Sequence, residues 1–574
     1  MAELPRFDRS FFEGPESFTL IGSGHLGGKA SGLLDAHRAL ADRPDGLRLA
    51  ELEIEVPTLA VIGTDVFDAF LDQNGLRGRD WLPDSDRRIA QAFQKASLPA
   101  AVSGDLWALV RRVHQPLAVR SSSLLEDALE HPLAGVYATK MIPNAAPDAE
   151  TRFRRLSEAI RFVYASTFFA AARAYRRTIG QGEDGEKMAV IVQEVVGRRH
   201  GPRFYPDLSG VARSVNFYAV APARREDGIA SLALGLGKTI VDGGRSWTYC
   251  PLRPAAPAPF NSVGERLDLS QRSFWAVNMG SAPYDPVSED EHLCEGTLDE
   301  ARLDGTLAHA ASTFDGRRER FVPGAGEGPL SLDFAPLLHF GGLHFNESVR
   351  GLLRLFEERH GAPVELELAL TLPEGGRPAR LGFLQVRPMM AAGSGLVVTE
   401  DELAGPGVLV ASRHALGDGL VEGLSDVIYV KPAAFDVTRT VAIAAEVEQA
   451  NRALLEAGRG ALLVGFGRWG TSDRFLGIPV DWTQVSAARV FVEASLPGFH
   501  ADMSQGAHFF HNLLGLKIPY LAVPAGVGQV DFAALDALPA EFDGQAVRHV
   551  RVPGGFEARV DGRSGRAVVR RFPA

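Results

Sequence analysis

The chain has 574 residues, of which 45% are hydrophobic and 23% charged, and its formal net charge is −11. This length and composition predict a folded protein with more than one domain and exclude wholesale disorder. Two cysteines, Cys250 and Cys294, are too few for a disulfide framework, and the acidic balance argues against non-specific nucleic-acid binding. The first residues lack a signal-peptide core, and no apolar run reaches about 18 residues, so we expect a cytoplasmic protein that does not enter a membrane.

The hydrophobic patterns predict a mixture of helices and strands before residue 390. The predicted helices are 26–40, 65–74, 152–179 and 345–360, and the predicted strands are 55–62, 117–120, 188–196, 230–234, 364–370 and 381–386. We expect Gly361 to end the last helix, since glycine suits the end of a helix. The mixture indicates an α/β or α+β fold. Small residues at 389–395 mark the boundary that we expect before a C-terminal unit.

A glycine-rich segment, GSGHLGGKASG, occupies residues 22–32 and leads into the first predicted helix. Glycines allow backbone N–H groups to approach an anion, and a helix N-terminus favours negative charge. Lys29 would add a positive charge beside a phosphate. The spacing is not that of a Walker A loop, so the segment is consistent with either a phosphate site or a purely structural helix entry.

A second motif, VRSSS, lies at residues 119–123, where a short apolar strand ends. Arg120 could bind phosphate oxygens through two parallel hydrogen bonds, and the neighbouring hydroxyls could donate more. Gly135, in the nearby AGVY segment, would permit a mobile loop over a triphosphate. A surface ion pair with a serine-rich turn is the alternative interpretation.

A third motif combines Glu365 and Glu367 on one predicted strand with Gln385 and Arg387 on the next. Residues i and i+2 of a strand share a face, so each pair should converge. Two carboxylates on one face repel unless a cation lies between them, and Mg²⁺ bridging phosphate oxygens would be such a cation. The alternative is a solvated polar face of an antiparallel sheet.

Taken in chain order, these motifs resemble the N-terminal nucleotide-binding domain of phosphoenolpyruvate synthase and pyruvate phosphate dikinase. The pieces that carry the resemblance are GGKA, VPxxxVI, VRSSS, AGVY, MAVIVQ, SGVA, GLG, ELE and LQVRP, between about residues 18 and 390. The family's domain is an ATP-grasp fold in which two lobes enclose ATP and metal. The resemblance thus implies an ATP-grasp unit at 15–392. With the boundary near residue 390, we expect an α+β protein that also has a smaller C-terminal α/β domain at 396–574.

The resemblance also implies roles for individual residues. Lys29 and Arg120 would contact the phosphates, Gly135 would lie in the loop that closes over them, and Gln385 and Arg387 would lie beside the phosphates. Mg²⁺ would be held by both members of the acidic pair, Glu365 and Glu367. The adenine would meet the strand and hinge that contain Gln193, Glu194 and Val196.

The sequence departs from the family pattern in several ways. Glu365 stands where the family usually has aspartate, which puts the metal geometry in doubt, and Lys238 replaces a usual acid after GLG. We find no segment like the family's phosphohistidine motif, and 396–574 is too short for a barrel of about 250 residues. Complete phosphoenolpyruvate synthesis by this chain is therefore not expected.

The C-terminal unit contains two further clusters. The segment VGFGRWGTSD, at residues 464–473, could bind an anion through Arg468 and backbone N–H groups, or it could be a structural turn. His508 and His511 lie three residues apart, on one face of a predicted helix. Either could accept a phosphoryl group, act as a base or bind metal, or both could be core residues.

The function that the sequence favours is an ATP- and Mg²⁺-dependent phosphotransferase with an unidentified small-molecule or protein acceptor, such as a partner histidine. Arg120, Arg387 and His508 are the expected catalytic residues. An ATP-grasp ligase and a non-catalytic ATP sensor or scaffold are the alternatives.

Overall fold

The structure is a computed structural model. It describes residues 4–8, 11, 17–42, 51–126, 134–182, 186–217, 219, 222–256, 260, 262–340, 342–389, 395–496, 499, 507–524 and 526–572. The chain forms two compact units. The first comprises the described residues of Met1–Asn216, Val220–Ile240 and Arg245–Met389, and the second those of Phe217–Ala219, Val241–Gly244 and Met390–Ala574.

The strands before residue 390 are β1 Phe18–Ile21, β2 Leu52–Glu55, β3 Leu59–Ile62, β4 Leu117–Ser123, β5 Thr139–Ile142, β6 Met188–Glu194, β7 Arg198–His200, β8 Arg203–Tyr205, β9 Leu208–Arg213, β10 Ile229–Ala233, β11 Trp247–Tyr249, β12 Ser273–Asn278, β13 Leu293–Thr297, β14 Ala311–Asp315, β15 Arg320–Pro323, β16 Leu330–Leu332, β17 Val364–Thr371 and β18 Ala379–Pro388. The helices of this part are α1 Gly27–Ala41, α2 Thr64–Gln73, α3 Asp86–Gln94, α4 Ala100–Arg112, α5 Ala149–Ser166, α6 Ala170–Thr178, α7 Lys238–Val241, α8 Val263–Leu269, α9 Leu298–Leu303, α10 Leu307–Ala310, α11 Ala335–Phe340 and α12 Phe345–His360.

The strands after residue 390 are β19 Val408–Ser412, β20 His414–Leu416, β21 Gly419–Val430, β22 Ala461–Phe466, β23 Arg468–Trp469, β24 Gly477–Ile478, β25 Ala488–Ala494, β26 Tyr520–Val523, β27 Gln529–Val530, β28 Ala540–Asp543, β29 Val547–Asp561 and β30 Arg566–Arg571. The helices are α13 Glu400–Leu403, α14 Thr440–Glu456, α15 Trp482–Val485, α16 His508–Gly515 and α17 Phe532–Asp536. None of the helices in the described ranges combines the length and apolar character that a membrane span requires.

Two mixed sheets of the first unit carry the predicted site. Within the described residues, one has the order β1-β3-β6-β4-β5 and the other the order β11-β10-β9-β17-β18-β2. Helix α1 packs between them, against β4 and β18. Leu33, Ile191, Leu366 and Phe383, all fully buried, belong to the core that joins these layers. The mixed helix and strand content that the sequence predicts is confirmed.

The single helix predicted at 152–179 is wrong, because the structure divides it into α5 and α6. The chain bends between the two helices and buries Phe168, whose ring packs against those of Trp81 and Phe93. Two arginines of α6 support the bend: Arg173 Nη1 donates to the Phe168 carbonyl at 2.6 Å, and Arg176 Nη1 donates to the Thr167 carbonyl at 2.7 Å. The hydrophobic pattern of the local sequence does not reveal that a ring packs against residues far away in the chain.

Other predicted elements agree closely with the structure. Helix α12 has the predicted bounds, and Gly361 follows it with φ +63°, as expected for a glycine C-cap. The strand predicted at 55–62 is interrupted, since β2 ends at Glu55 and β3 begins at Leu59, with Pro57 between them. Most of the expected boundary segment, at 390–394, lies outside the described residues.

The second unit is built on one large mixed sheet. Within its described residues the strand order is β20-β26-β25-β22-β21-β29-β30-β19-β27, with β28 also paired to β29. Strands β21, β22, β25 and β26 run parallel to one another, and α14 connects β21 to β22. Asp242–Gly244, from the middle of the chain, belongs to this unit.

Candidate functional site

Strands β17 and β18 carry the acidic pair and an arginine that joins its members. Glu365 lies opposite Arg387 in the strand register, and Glu367 lies opposite Gln385. Arg387 Nη1 donates to Glu365 Oε1 at 2.8 Å, and its Nη2 donates to Glu367 Oε1 at 2.8 Å. One guanidinium therefore offsets the repulsion between two carboxylates on the same strand face. The convergence that strand alternation predicts is present, and here the cation between the acids is an arginine.

A second arginine, which the sequence analysis missed, reaches the same acidic pair. Arg213 ends β9 and lies opposite Glu365 on the side of β17 away from β18. Its Nε donates to Glu365 Oε2 at 2.7 Å, and its Nη2 lies 2.6 Å from the same oxygen. The side chains of both residues are at most 3% exposed. The signal that could have revealed it is a charged residue at the end of an otherwise uncharged strand.

Arg120, from β4, reaches across to the neighbouring sheet. Its Nη2 donates to Gln385 Oε1 at 2.8 Å, and its Nη1 donates to the Leu384 carbonyl at 2.8 Å and to Gln193 Oε1 at 3.2 Å. The Nη2 also lies 3.7 Å from Glu367 Oε2. The structure therefore brings Arg120, Gln193, Gln385 and the acidic pair into one network.

The charge balance of this network suits a polyanion. Three arginines (Arg120, Arg213 and Arg387) meet two carboxylates, so these five side chains carry one excess positive formal charge. The groups lie in a partly buried setting, where the weak solvent screening strengthens electrostatic attraction. A triphosphate with its cation would be attracted to such a cluster.

Lys29 is held in a buried ion pair. Its Nζ lies 2.5 Å from Glu126 Oε1 and 3.2 Å from Ser121 Oγ, while Ser123 N donates to Glu126 Oε2 at 2.9 Å. Lys29 is 5% exposed and Glu126 is fully buried. In this structure the positive charge predicted for a phosphate is thus balanced by a protein carboxylate, and phosphate contact by Lys29 stays a prediction.

The structure explains one glycine of the glycine-rich segment, Gly27, which is the first residue of α1. Gly27 has φ +74°, and a Cβ atom there would lie 1.8 Å from the carbonyl oxygen of Ser122. The Ser122 hydroxyl donates to the Leu26 carbonyl at 2.7 Å and accepts from Ala30 N at 3.0 Å. The strand that carries Arg120 is therefore fixed directly against the start of the helix that carries Lys29.

A buried polar cluster, formed by Glu126, Tyr137, Arg176 and Glu186, adjoins Lys29. Tyr137 donates to Glu186 Oε2 at 3.0 Å. Burial raises the pKa of the Glu186 carboxyl to about 7, and the charge of Glu126 acts in the same direction. Burial also raises the pKa of Tyr137 well above its ordinary value. In the described part of the chain, Arg176 Nε and Nη2 have no hydrogen-bond partner, although the residue is 1% exposed.

The sequence analysis missed Tyr137, Arg176 and Glu186 as members of a polar cluster. Little in the sequence singles out Arg176, because it is one of three arginines in α6, together with Arg173 and Arg177. An ionisable side chain that is buried without complete pairing is costly, and such groups concentrate at functional sites.

The residues predicted to meet adenine lie on or just after β6. Gln193 is buried, and besides accepting from Arg120 it donates to the Pro57 carbonyl at 3.3 Å. Glu194 is half-buried, and burial raises the pKa of its carboxyl. Val196 packs closely against Gly382. Gly135 is exposed, with φ +63°, a backbone conformation that favours glycine.

The candidate residues of the second unit differ from one another in burial and in their hydrogen bonds. Arg468 is buried and donates to the carbonyls of Gly243 and Gly244 at 2.7 and 3.3 Å, which corresponds to the structural interpretation of its loop. His508 begins α16 and is half-buried, whereas His511, one turn on, is 4% exposed. His508 thus lies on an element of the second unit and not among the strands that carry Arg120 and Arg387.

Comparison with known families decides the wider assignment. Residues 23–404 match the family described as pyruvate phosphate dikinase, AMP/ATP-binding domain, which is more than half of the chain. The chain belongs to this family. The match includes every predicted site residue of the first unit and none of the second-unit candidates Arg468, His508 and His511, and it confirms the resemblance drawn from the motifs. Membership in the dikinase family supports ATP as the ligand and a function related to phosphoryl transfer.

One carboxylate of the dikinase-family domain, that of Glu367, has surroundings that suit a divalent cation. Carboxylate oxygens are the hard ligands that Mg²⁺ prefers, and Glu367 presents a side chain that is 15% exposed. Its Oε2 is too far from Arg120, at 3.7 Å, for a hydrogen bond. That oxygen is therefore suited to bind a cation without the loss of a buried hydrogen bond.

Proposed function

We propose that this chain is an ATP- and Mg²⁺-dependent phosphotransferase that uses an ATP-grasp site in its first unit. The observation that carries the proposal is the cluster of Arg120, Arg387 and Glu367 on two adjoining sheets, within a domain of the dikinase family. The proposed acceptor is a small molecule or a protein side chain, such as a histidine of a partner.

Catalysis by such a site is positioning combined with neutralisation of charge. Arg120 and Arg387 would hold the oxygens of the phosphoryl group, and their pairing with Gln385 and the acidic pair fixes the two guanidinium groups before ATP arrives. Lys29 would contact the phosphates after partial release from Glu126. Mg²⁺ would bind at the acidic pair, through at least one of its two carboxylates, and would neutralise charge on the phosphate oxygens.

The proposed nucleotide base site is the end of β6, with Gln193, Glu194 and Val196, and Gly135 would lie in the loop over the phosphates. His508 is the proposed acceptor in the second unit. Its position at the start of α16 supports this role, since a phosphoryl group there would meet the positive end of the helix dipole.

The deciding experiment is analysis of the nucleotide products. The full chain is incubated with ATP, Mg²⁺ and a protein-free cell filtrate, and nucleotides are separated by ion exchange. AMP supports dikinase-type chemistry, and ADP supports a kinase or, if formation depends on an amine, an ATP-grasp ligase. Unchanged ATP with measurable ATP binding supports the sensor alternative or an acceptor on a partner protein, and the assay is then repeated with the protein fraction of the extract. Unchanged ATP in both assays contradicts the proposed activity.

Matched variants test whether any turnover of ATP takes place at the proposed nucleotide site. Arg387→Ala should abolish product formation, whereas Arg359→Ala should not, because the Arg359 side chain is 42% exposed and pairs with Asp35 at the surface. For the acceptor, His508→Asn should abolish acid-labile labelling of the protein by [γ-³²P]ATP or [β-³²P]ATP, with His114→Asn as an exposed control. Labelling that survives in His508→Asn excludes His508 as the acceptor.

A further inference from the structure

The two members of the acidic pair have different neighbours across the sheet. Strand β17 lies between β9 and β18, and Glu365 is directly opposite Arg213 on one side and Arg387 on the other. Glu367 is directly opposite Val211 and Gln385, so no arginine faces it in either register. Arg387 reaches Glu367 diagonally, from the position opposite Glu365.

The hydrogen bonds of Glu365 engage both of its oxygens. Oε1 accepts from Arg387 and Oε2 accepts from Arg213, and the side chains of all three residues are at most 3% exposed. A metal on Glu365 would have to share an oxygen with an arginine, close to the positive charge of that arginine in a buried site, or displace the arginine from the oxygen. Separation of a buried ion pair is strongly destabilising, because it leaves a charge without compensation in a medium of low dielectric constant.

Glu367 is in the opposite situation. Its Oε1 accepts from Arg387, but its Oε2 is 3.7 Å from the guanidinium of Arg120, and the side chain is 15% exposed. One oxygen can therefore bind a cation while the other keeps its hydrogen bond to Arg387.

We propose that Arg213 withholds Glu365 from metal binding and makes it a positioning residue for Arg387, so that Glu367 is the one carboxylate of this pair that binds the divalent cation. The inference rests on the proposed nucleotide site. It gives Glu365 the role of orienting the guanidinium of Arg387, which is proposed to bind phosphate. It also gives Arg213 a role that the sequence motifs do not indicate.

The longer side chain at position 365 is consistent with this role. The family usually has aspartate there, and the additional methylene of glutamate extends the carboxylate from the strand. Glu365 spans the gap between arginines on two different strands with one hydrogen bond to each. The cation would then depend on ligands from the phosphates more than a site with two protein carboxylates does.

The test measures cation and nucleotide binding separately in the full-length protein. Mn²⁺ replaces Mg²⁺, and its binding is followed by electron paramagnetic resonance at saturating β,γ-imido analogue of ATP. Nucleotide affinity is measured by calorimetry. We expect Glu367→Gln to raise the dissociation constant of Mn²⁺ at least tenfold, and Glu365→Gln to change it less than threefold. Glu365→Gln should weaken binding of the nucleotide by about tenfold, because Arg387 loses one of its two carboxylate partners.

A charge-balanced variant covers the case in which Glu365→Gln fails to fold. Arg213→Met combined with Glu365→Gln removes one cation and one anion, and it should also leave the Mn²⁺ dissociation constant within threefold of the parent. A tenfold loss of Mn²⁺ affinity in a folded Glu365 variant, or unchanged affinity in Glu367→Gln, overturns the inference. If the parent protein binds no analogue at all, the proposed nucleotide site itself is wrong, and the inference fails with it.

Discussion

Arg120 Nη2 donates a hydrogen bond to Gln385 Oε1 at 2.8 Å, and this bond connects the two sheets of the first unit that carry the site. The two residues are far apart in the chain, yet each holds the other in the orientation that the network requires. Arg120 is 11% exposed, so its guanidinium is fixed but remains accessible. An arginine fixed in this way needs little reorganisation when it meets an anion.

Arg120→Ala should weaken binding of the β,γ-imido analogue of ATP about 10- to 100-fold. The reason is that a charge-assisted hydrogen bond contributes about 1.5–3 kcal/mol. Calorimetry with Mg²⁺ present measures the effect, and Arg359→Ala is the control. Equal affinity of the Arg120 variant and the parent would place the phosphates elsewhere.

Lys29→Met should lower the free energy of unfolding by about 3–5 kcal/mol, because it leaves the carboxylate of Glu126 buried without its cation. Lys29→Met combined with Glu126→Gln should recover most of this loss. Urea unfolding measures both variants. If Lys29 also contacts phosphate, the double variant should bind nucleotide more weakly than the parent even though its stability is restored. Nucleotide affinity equal to that of the parent would limit Lys29 to a structural role.

Gly27→Ala should destabilise the protein by several kcal/mol, about 3 or more, since the residue has a positive φ and its Cβ would overlap the Ser122 carbonyl. Gly104→Ala is the matched control in helix α4, where a Cβ atom meets nothing within 4 Å. The control should be stabilised by about 0.5–1 kcal/mol. Thermal unfolding of both variants would show whether the close approach of strand and helix is as tight as the structure indicates.

Glu186 should make the stability of the protein fall as the pH rises. Burial raises the pKa of its carboxyl from 4.5 to about 7, so the folded state retains a proton that the unfolded state releases between these values. The stabilisation from this group is complete below about pH 4.5 and is lost as the pH rises through about 7. The difference amounts to roughly 3 kcal/mol.

Glu186→Gln should remove this contribution, because glutamine stays neutral and can still accept from Tyr137. Its free energy of unfolding, relative to the parent, should rise by roughly 3 kcal/mol between pH 4.5 and 8. Urea unfolding across this range measures the change. Glu226→Gln, at a side chain that is 70% exposed, should follow the parent at every pH. Parallel profiles for Glu186→Gln and the parent would contradict the raised pKa.

The sequence by itself determined the family, most of the local elements and the composition of the site. The period-two alternation places Glu365 and Glu367 on one face of β17, and Gln385 and Arg387 on one face of β18, whatever the rest of the chain does. The end of α12 at Gly361 likewise follows from a local backbone preference. These features depend on residues that are neighbours in the chain, so patterns of short range reveal them.

The tertiary structure decided which charges meet. Arg213, Arg176 and Glu186 take their roles from residues distant in the chain, and the partner of Lys29 proved to be Glu126. Phe168 divided a predicted helix because its ring packs on Trp81 and Phe93. Pairing of buried charges and packing of buried rings depend on the three-dimensional register of strands and helices, and this register is set by the whole core and not by the local sequence.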